Sequence, residues 1–220
     1  MKNNQLKINI GCGLTTADGW INCDSSLNAQ IHKFQYLKKF LSSLGLVSEV
    51  EWPDSVKYFS VDSRWPWGDC TVDVVYASHV FEHLFSDQCL HFLSETKRVL
   101  KNDGIIRIVV PDLYFHAKKY VDTFSISASY AESFLSVMHL RFQNEKSIIR
   151  KFISWIQGYP NLHKNMYDEP TLVKILNSHN FSDVESLTHG VSRRICDMAS
   201  LERVGGGYEG SIYIEAVIKK

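Results

Sequence analysis

The sequence predicts a single α/β domain built on a doubly wound, mostly parallel sheet of about seven strands with helices on both faces. Three observations predict this class. Short β-rich runs alternate with longer segments of helical period, several of those runs end on small or acidic residues, and a nearly unbroken β-branched run lies near the middle of the chain. A chain of 220 residues is long enough to bury the core of one such domain.

The first two predicted strands are short and end on residues suited to a turn. Residues 6–10 are apolar and predict a buried strand, which Gly11-Cys12-Gly13 ends. Residues 20–23 predict a second strand, which Asp24 ends. Because ligands of open α/β sheets bind at the carboxyl ends of the strands, Gly11 and Asp24 are candidates for one site.

Two further strands are predicted in the first half of the chain. Residues 57–61 predict a third strand that closes on Asp62, and residues 72–76 predict a fourth that closes on Ala77-Ser78-His79. Their ends would join the same edge of the sheet, since the alternating pattern predicts parallel strands.

Two helices are predicted between and after these strands. From residue 31 to residue 50 the apolar side chains recur at three- and four-residue intervals among lysines, which predicts one amphipathic helix whose regular part ends at Gly45. Residues 86–100 predict a second helix, with Ser86 or Asp87 as its cap. Its inner side would carry Leu90, Leu93, Val99 and Leu100.

The second half of the chain begins with a turn cluster, Lys101 to Gly104, and the β-branched run 105–110, which predicts a central strand that Pro111 stops. Residues 114–157 are helical in period and rich in aromatic side chains, as expected of an insertion on the substrate side. The remaining predicted elements are a helix at 171–178, strands at 183–188 and 211–218, and a glycine turn at 205–207. The domain boundaries are therefore 1–220, with a core at 6–113 and 163–220 and helical insertions at about 28–56 and 114–160.

Composition narrows the classes of partner and compartment. Lys plus Arg number 24 and Asp plus Glu number 24, so the overall charge does not favour a nucleic-acid partner. The five cysteines are odd in number and scattered, which argues against a disulfide framework or a zinc ribbon. The amino terminus does not resemble a secretory signal, and no apolar run reaches the roughly 18 residues of a membrane span. We expect a soluble, cytoplasmic protein that acts on a small molecule and has no membrane span.

The glycine pair and the following aspartate suggest a nucleoside ligand. Gly11 and Gly13 allow a tight turn and let a ligand approach the backbone, since no Cβ is in the way. Asp24 is placed to accept hydrogen bonds from both hydroxyls of a ribose, because an ionised carboxylate only accepts. A dinucleotide fingerprint requires a third glycine where this chain has Thr16. Its absence favours a ligand without a pyrophosphate.

At these motifs the sequence resembles class I methyltransferases that use S-adenosyl-L-methionine, in particular a small bacterial group with an N-I-G-C-G opening, like methyltransferase type 11. The resemblance covers residues 6–113 well and the remainder thinly. The segments that carry it are INIGCG at 8–13, GWINCD at 19–24, VDVVYASHVFEHL at 72–84, ETKRVLKNDGIIRIVVPDL at 95–113 and, more loosely, HKNMYDEPTLVKIL at 163–176 with Phe181.

The resemblance implies a role for each matching residue. Gly11, Cys12 and Gly13 would hold the methionine part of S-adenosyl-L-methionine, and Asp24 would hold its ribose. The adenine would lie by Asp62 and Ser63, and the sulfonium by backbone groups of Ala77, Ser78 and His79. The last strand would be antiparallel. The chain departs from the family at Trp65-Pro66-Trp67, where relatives usually have leucine, proline and phenylalanine, and in the short loop from Gly13 to Trp20.

The sequence constrains the methyl acceptor and its activation less than it constrains the cofactor. Relatives often accompany polysaccharide assembly, so the resemblance suggests a small molecule or a saccharide, and oxygen, nitrogen and carbon acceptors all stay open. Methyl transfer needs mainly alignment of the reacting groups. Where the acceptor must lose a proton, His79 or His83 is suitable as the base. Each of them has the alternative role of ordering the loop or capping a helix.

Three alternatives compete with this interpretation. The motif His79-Val80-Phe81-Glu82-His83 matches H-x-x-E-H, the zinc signature of some proteases, although we expect no metal here because that site needs a long helix and this motif follows a strand. A further alternative is that the domain binds a cofactor or a partner without catalysing a reaction, since fold alone does not establish activity.

The predicted helix at 134–157 also has alternative roles. It is either a membrane-surface or lid helix, or a helix packed on the sheet or on a sister subunit in a homodimer.

Four side chains either face the methyl acceptor or have only a structural role. They are Arg141, Arg150, His163 and Tyr167. Cys12 fits a tight cofactor loop better than the role of a nucleophile, because no partner for it is evident in the sequence.

Overall fold

The protein is described by a computed structural model that covers residues 5–43, 46–47, 50–123, 130–140, 162–202 and 209–220. A single sheet runs through these residues. Its strands are β1 (Lys7–Ile10), β2 (Ile21–Asp24), β3 (Lys57–Tyr58), β4 (Val72–Ser78), β5 (Leu100–Pro111), β6 (Phe181–Leu187) and β7 (Ser211–Ile218). The sheet has 7 strands in the order β3-β2-β1-β4-β5-β7-β6, which confirms the predicted fold class.

The direction of the strands also agrees with the prediction. β1 pairs in parallel with β2 and β4, and β4 pairs in parallel with β5. β7 is antiparallel to both β5 and β6. The chain winds outward in both directions from the boundary between β1 and β4, so the carboxyl ends of these strands open a crevice at the switch point of the topology. That crevice holds the residues described below.

The helices differ from prediction mainly at their ends. The described residues between β2 and β3 form two helices where one was predicted. The first helix begins earlier than predicted, because the Ser26 hydroxyl accepts from the Ala29 amide over 3.2 Å and caps it. The predicted end at Gly45 lies outside the described residues. The helices are α1 (Leu27–Ile31), α2 (Gln35–Ser43), α3 (Ser86–Val99), α4 (Leu113–Thr123), α5 (Tyr130–Val137) and α6 (Glu169–Ser178), with 3-10 turns at Phe81–His83 and Met198–Ser200.

Three strands have limits that differ from those predicted from the sequence. β3 is only two residues long, because its one neighbour β2 ends at Asp24, whose carbonyl accepts the last bond from the Phe59 amide over 3.0 Å. Ala77 and Ser78 still belong to β4, where they pair with β5, so the loop begins at His79. The predicted turn at 101–104 is an irregular part of β5, where the register slips.

Alternate side chains of the central strands fill two separate cores. On one face Val75 and Ala77 pack with α3 and α6, where Phe92 and Leu93 are fully buried. Leu90, predicted on the inner side of α3, is 54% exposed, and Phe92 takes the inward position instead. On the other face Tyr76 packs with Trp20 and the C-terminal segment. Parallel strands covered on both faces require this double burial.

Within the described ranges, no helix combines the length and the apolar character that a membrane crossing requires. Most of the predicted helix 134–157, with Arg141 and Arg150, and the glycine turn at 205–207 lie outside those ranges. α2, α4 and α5 bury no residue of their own in the described part of the chain.

Candidate cofactor site

The loop after β1 is built around Asp24. Gly11 and Gly13 both have positive φ, 65° and 52°, a conformation that side chains with a Cβ rarely adopt. The Gly13 amide donates to Asp24 Oδ2 over 2.9 Å, and the Ser26 amide donates to Oδ1 over 2.8 Å. The Cys12 amide donates to the Cys23 carbonyl over 3.0 Å. The carboxylate therefore fixes the glycine loop of β1 against the end of β2.

A cavity of about 300 Å³ opens beside this loop, at the small end of the range for ligand pockets. Its lining includes Gly11 and Asp24, at the ends of β1 and β2, and His79 and His83, in the segment after β4. The full lining is Ile10, Gly11, Asp24, Ser25, Phe59, Ser60, Val61, Asp62, His79, Val80, His83, Leu84, Phe85 and Gln88. The ends of β1, β2, β3 and β4 all contribute, as the crevice rule for open sheets predicts.

The structure brings part of the predicted set into this cavity and leaves part beside it. Gly11, Asp24, Asp62, His79 and His83 line it. The other predicted residues lie behind or next to the wall: Cys12 and Ala77 are buried, Gly13 is bonded to Asp24, Ser78 ends β4, and Ser63 donates to the Ser60 carbonyl over 3.0 Å. Their roles as cofactor ligands stay predictions.

The apolar part of the wall was missed by the sequence analysis. Phe59 and Val61 are buried and follow β3. The ring of Phe59 packs on Trp65 and Trp67, with centroid distances of 5.6 Å and 5.4 Å. An aromatic wall of this kind suits the face of a flat aromatic ring such as adenine. The signal was present in the sequence as the aromatic residues between β3 and β4, but nothing local showed which way they face.

The tryptophan segment under this wall is held by one ion pair on α3. Glu95 accepts from the Trp65 amide over 2.7 Å and from Arg98 Nη2 over 2.7 Å. Arg98 also donates to the carbonyls of Trp65 and Trp67, over 3.0 Å and 2.9 Å. The hydrogen bond from Arg98 holds the pKa of Glu95 down at about 2. The segment that departs from the family pattern is thus rigidly fixed behind the cavity.

His79 starts the loop after β4 in a strained conformation. Its φ is 53°, which is uncommon for any residue other than glycine. The His79 amide donates to the Val109 carbonyl over 2.9 Å, and Nδ1 lies 3.0 Å from Glu82 Oε1. A carboxylate only accepts, so Nδ1 carries the proton and Nε2 is the basic nitrogen. Strain of this kind clusters at functional sites, where the surroundings enforce it.

Next to His79, a group of imidazoles surrounds Glu82. The side chains of Glu82 and His163 are 1% and 3% exposed. The rings of His83 and His163 lie 4.7 Å apart, and His139 stacks on His163 at 4.9 Å. Burial lowers the pKa of His83, and it lowers the pKa of His163 to about 4. Both rings are therefore neutral near pH 7.

The protease arrangement of H-x-x-E-H is absent from this described segment. Phe81–His83 is a three-residue 3-10 turn, and His79 precedes it with positive φ. The two histidines therefore do not share one face of an α-helix, which the zinc protease motif requires. This geometry argues against a zinc hydrolase site in which His79 and His83 are the two imidazole ligands.

Two other candidates turn out to be structural. Tyr167 is 5% exposed, its ring lies 5.3 Å from that of Phe81, and its hydroxyl lies 3.4 Å from Cys89 Sγ. It is part of the core and does not face an acceptor. Burial, with a smaller contribution from Asp24, raises the pKa of Cys12 to about 12, so its thiol is protonated and a poor nucleophile.

Comparisons with known proteins find one family model and several similar solved structures. The family model described as a methyltransferase domain matches residues 8–108, from β1 into β5. A solved S-adenosylmethionine-dependent methyltransferase from Methanosarcina mazei is similar with 14% identity and a TM-score of 0.49, over 100% of this chain and 95% of that one. One from Archaeoglobus fulgidus is similar with 16% identity and a TM-score of 0.47, over 98% of this chain and 87% of that one.

A third similar structure is the CurJ carbon methyltransferase, with 11% identity and a TM-score of 0.49. The alignment covers 100% of this chain and 50% of that chain, so the present chain spans half its length. Identities this low carry no information about an acceptor.

Proposed function

We propose that this chain, whose residues 8–108 match the methyltransferase-domain model, is a class I S-adenosylmethionine-dependent methyltransferase and that its acceptor is a small molecule or a saccharide. The proposal concerns the acceptor and the residues that serve it. It is supported by the polarity of the cavity and by the histidines on its wall.

The residues around the cavity fit S-adenosylmethionine. A Cβ built at Gly13 meets nothing within 4 Å, so its backbone is open to a ligand. Asp24 offers carboxylate oxygens on the wall, and Phe59 offers an apolar ring. We assign the methionine part to the loop Gly11-Cys12-Gly13 and the ribose to Asp24. The remaining assignments are Asp62 and Ser63 for the adenine and Ala77, Ser78 and His79 for the sulfonium.

The bound cofactor supplies a methyl group that is already activated, so the protein has mainly to align the acceptor. The described lining residues include Asp24 and Asp62 but no lysine or arginine. Such a wall disfavours a polyanion, because nucleic-acid binding depends on neutralised phosphates. His79, His83 and Gln88 instead offer hydrogen-bonding side chains of the kind that hydroxyl-rich acceptors bind.

His79 is the better candidate for a base. Glu82 accepts from its Nδ1 and thereby sets the tautomer in which Nε2 takes a proton, the same positioning role that a carboxylate plays in a catalytic triad. His83 donates from Nδ1 to the Leu162 carbonyl over 3.2 Å, which fixes its ring in the wall. For a hydroxyl acceptor, we propose that His79 Nε2 removes the proton as the oxygen attacks the methyl group.

The observation that carries the proposal is the presence of Gly11, Asp24 and His79 on the wall of one cavity. The test is transfer of labelled methyl from S-adenosylmethionine to four acceptor panels: mono- and oligosaccharides, small hydroxylated or aminated molecules, RNA and denatured protein. We expect label in one of the first two panels, and His79→Asn should lower kcat by about a hundredfold or more where the acceptor is a hydroxyl.

The matched control is His179→Asn, since His179 lies at the end of α6 and bonds to Ile175 there. It should retain full activity. Label only in RNA or protein would refute the acceptor class. Cofactor binding without transfer to any panel would favour the non-catalytic module. The cytoplasmic location also belongs to the proposal, and the five free cysteines support a reducing compartment.

A further inference from the structure

Glu82, His83 and His163 converge on one point beside the cavity. One possible ligand atom from each of them lies within 4.8 Å of the other two. Glu82 and His83 come from the 3-10 turn after β4, and His163 comes from the segment before α6. The two segments are fastened together, because the Glu82 carbonyl accepts from the amides of Lys164 and Asn165 over 2.7 Å and 3.1 Å. The cluster is therefore part of a fixed structure.

Two polar atoms of this cluster are buried and lack a hydrogen-bond partner among the described residues. They are Glu82 Oε2 and His163 Nδ1, on side chains that are 1% and 3% exposed. Burying a carboxylate oxygen without a hydrogen-bond partner is energetically unfavourable, and native proteins rarely contain such an atom.

The donor set identifies the kind of ion that would relieve this cost. Two imidazoles and one carboxylate are the ligands that zinc and similar first-row divalent cations prefer, whereas magnesium and calcium prefer oxygen ligands. From this geometry we infer that Glu82, His83 and His163 form a binding site for a divalent transition-metal cation, with Zn²⁺ as its simplest occupant.

The surroundings of His83 and Glu82 match those of known metal ligands. A ligating histidine usually donates its other ring N–H to a carbonyl or carboxylate. His83 Nδ1 lies 3.2 Å from the Leu162 carbonyl, which sets Nε2 as the atom for the metal. Glu82 Oε1 is held by His79 over 3.0 Å, which leaves Oε2 as the carboxylate oxygen without a hydrogen-bond partner among the described residues.

The location gives such an ion a role at the acceptor. Three protein ligands with an open position are the pattern of a catalytic metal centre, and His83 also lines the cavity that holds Gly11 and Asp24. The ion would bind an acceptor hydroxyl through the open position and lower its pKa. The set differs from the H-x-x-E-H protease motif, because the second imidazole comes from His163, and His79 positions Glu82.

The site is tested with the metal alone, so the result is independent of cofactor binding and of the proposed acceptor. The full chain is stripped with a chelator and dialysed against Zn²⁺, and bound zinc is measured by mass spectrometry. We expect one Zn²⁺ per chain. His163→Ala and Glu82→Gln should each weaken binding at least about tenfold, since removing even a supporting partner costs that much.

The control is His179→Ala, which removes a histidine outside the cluster and should bind zinc like the wild type. Circular dichroism verifies that each variant is folded. X-ray absorption of the zinc-loaded wild type needs no variant and should show a nitrogen and oxygen shell with imidazole scattering. Absence of stoichiometric zinc, a shell of cysteine sulfur, or unchanged binding in folded His163→Ala would each overturn the inference.

Discussion

The Gly13 amide donates a hydrogen bond to Asp24 Oδ2 over 2.9 Å, which ties the glycine loop after β1 to the end of β2. Asp24 therefore has a structural role before any ligand arrives. The Ser26 amide bonds to its other oxygen. Each carboxylate oxygen has a further lone pair, so the same group is able to accept from a ribose.

Asp24→Ala should weaken binding of S-adenosylmethionine and of its demethylated product at least about tenfold, since hydrogen bonds to a charged group are worth roughly 1.5–3 kcal/mol each. Isothermal titration calorimetry measures the affinity. Asp54→Ala is the control, because Asp54 is an exposed aspartate on the same part of the chain. Unchanged affinity in folded Asp24→Ala would remove this carboxylate from the site.

Gly11→Ala should disturb the site more than Gly19→Ala. Both glycines have positive φ, 65° and 77°, so both substitutions incur a similar backbone strain of about 1–2 kcal/mol. A Cβ at Gly11 also meets Val80 Cγ2 at 2.2 Å, whereas one at Gly19 meets nothing within 4 Å. Val80 lines the cavity, so only Gly11→Ala should lower cofactor affinity. Titration calorimetry measures the cofactor affinity, and urea unfolding measures the loss of stability. Equal cofactor affinities of Gly11→Ala and Gly19→Ala would contradict this prediction.

The strand ends were predictable because a parallel sheet brings them to one edge whatever the loops do. Gly11, Asp24 and His79 followed from that rule. Arg107 was not recognised, because it lies inside a β-branched run and its partners Glu202 and Glu215 are about a hundred residues away. The cluster of Glu82 with His163 was missed for the same reason, since no local period relates residues on separate segments.

The ion pair behind the tryptophan segment should make stability depend on pH. The folded-state pKa of Glu95, about 2, is below its ordinary value of 4.5. Its contribution is therefore complete above pH 4.5 and is lost as the pH falls toward 2. Glu95→Gln should lower the free energy of unfolding by roughly 2 kcal/mol at neutral pH and by much less near pH 2.

Urea unfolding at several pH values measures that difference. Glu51→Gln, at an exposed glutamate, is the control and should change stability little at any pH. A penalty for Glu95→Gln that is the same at neutral and acid pH would show that the carboxylate does not stabilise the fold as an anion.

Arg107→Met should be strongly destabilising. The Arg107 side chain is 0% exposed and bonds to Glu202 at 2.7 Å and to Glu215 at 2.9 Å, in the middle of the sheet. Removing it leaves two buried carboxylates without their cation, a loss of roughly 3–5 kcal/mol. Arg193→Met, at a side chain that is 75% exposed, should cost about 0.5 kcal/mol or less. Urea unfolding measures the free energy of unfolding of both variants. Similar values for Arg107→Met and Arg193→Met would show that the buried ion pairs do not stabilise the fold.

Cys12 should resist alkylation in the folded protein. Burial and the nearby Asp24 raise the pKa of its thiol to about 12, so the reactive thiolate is scarce at pH 8. Cys70 and Cys196 are exposed and should react first with iodoacetamide. Peptide mass spectrometry over time measures the order, and unfolding in urea should make the rates of Cys12 and Cys196 similar. Rapid labelling of Cys12 in the native protein would mean that the glycine loop is open to solvent. The hydrogen bond from Gly13 to Asp24 would then not hold this loop in the resting protein.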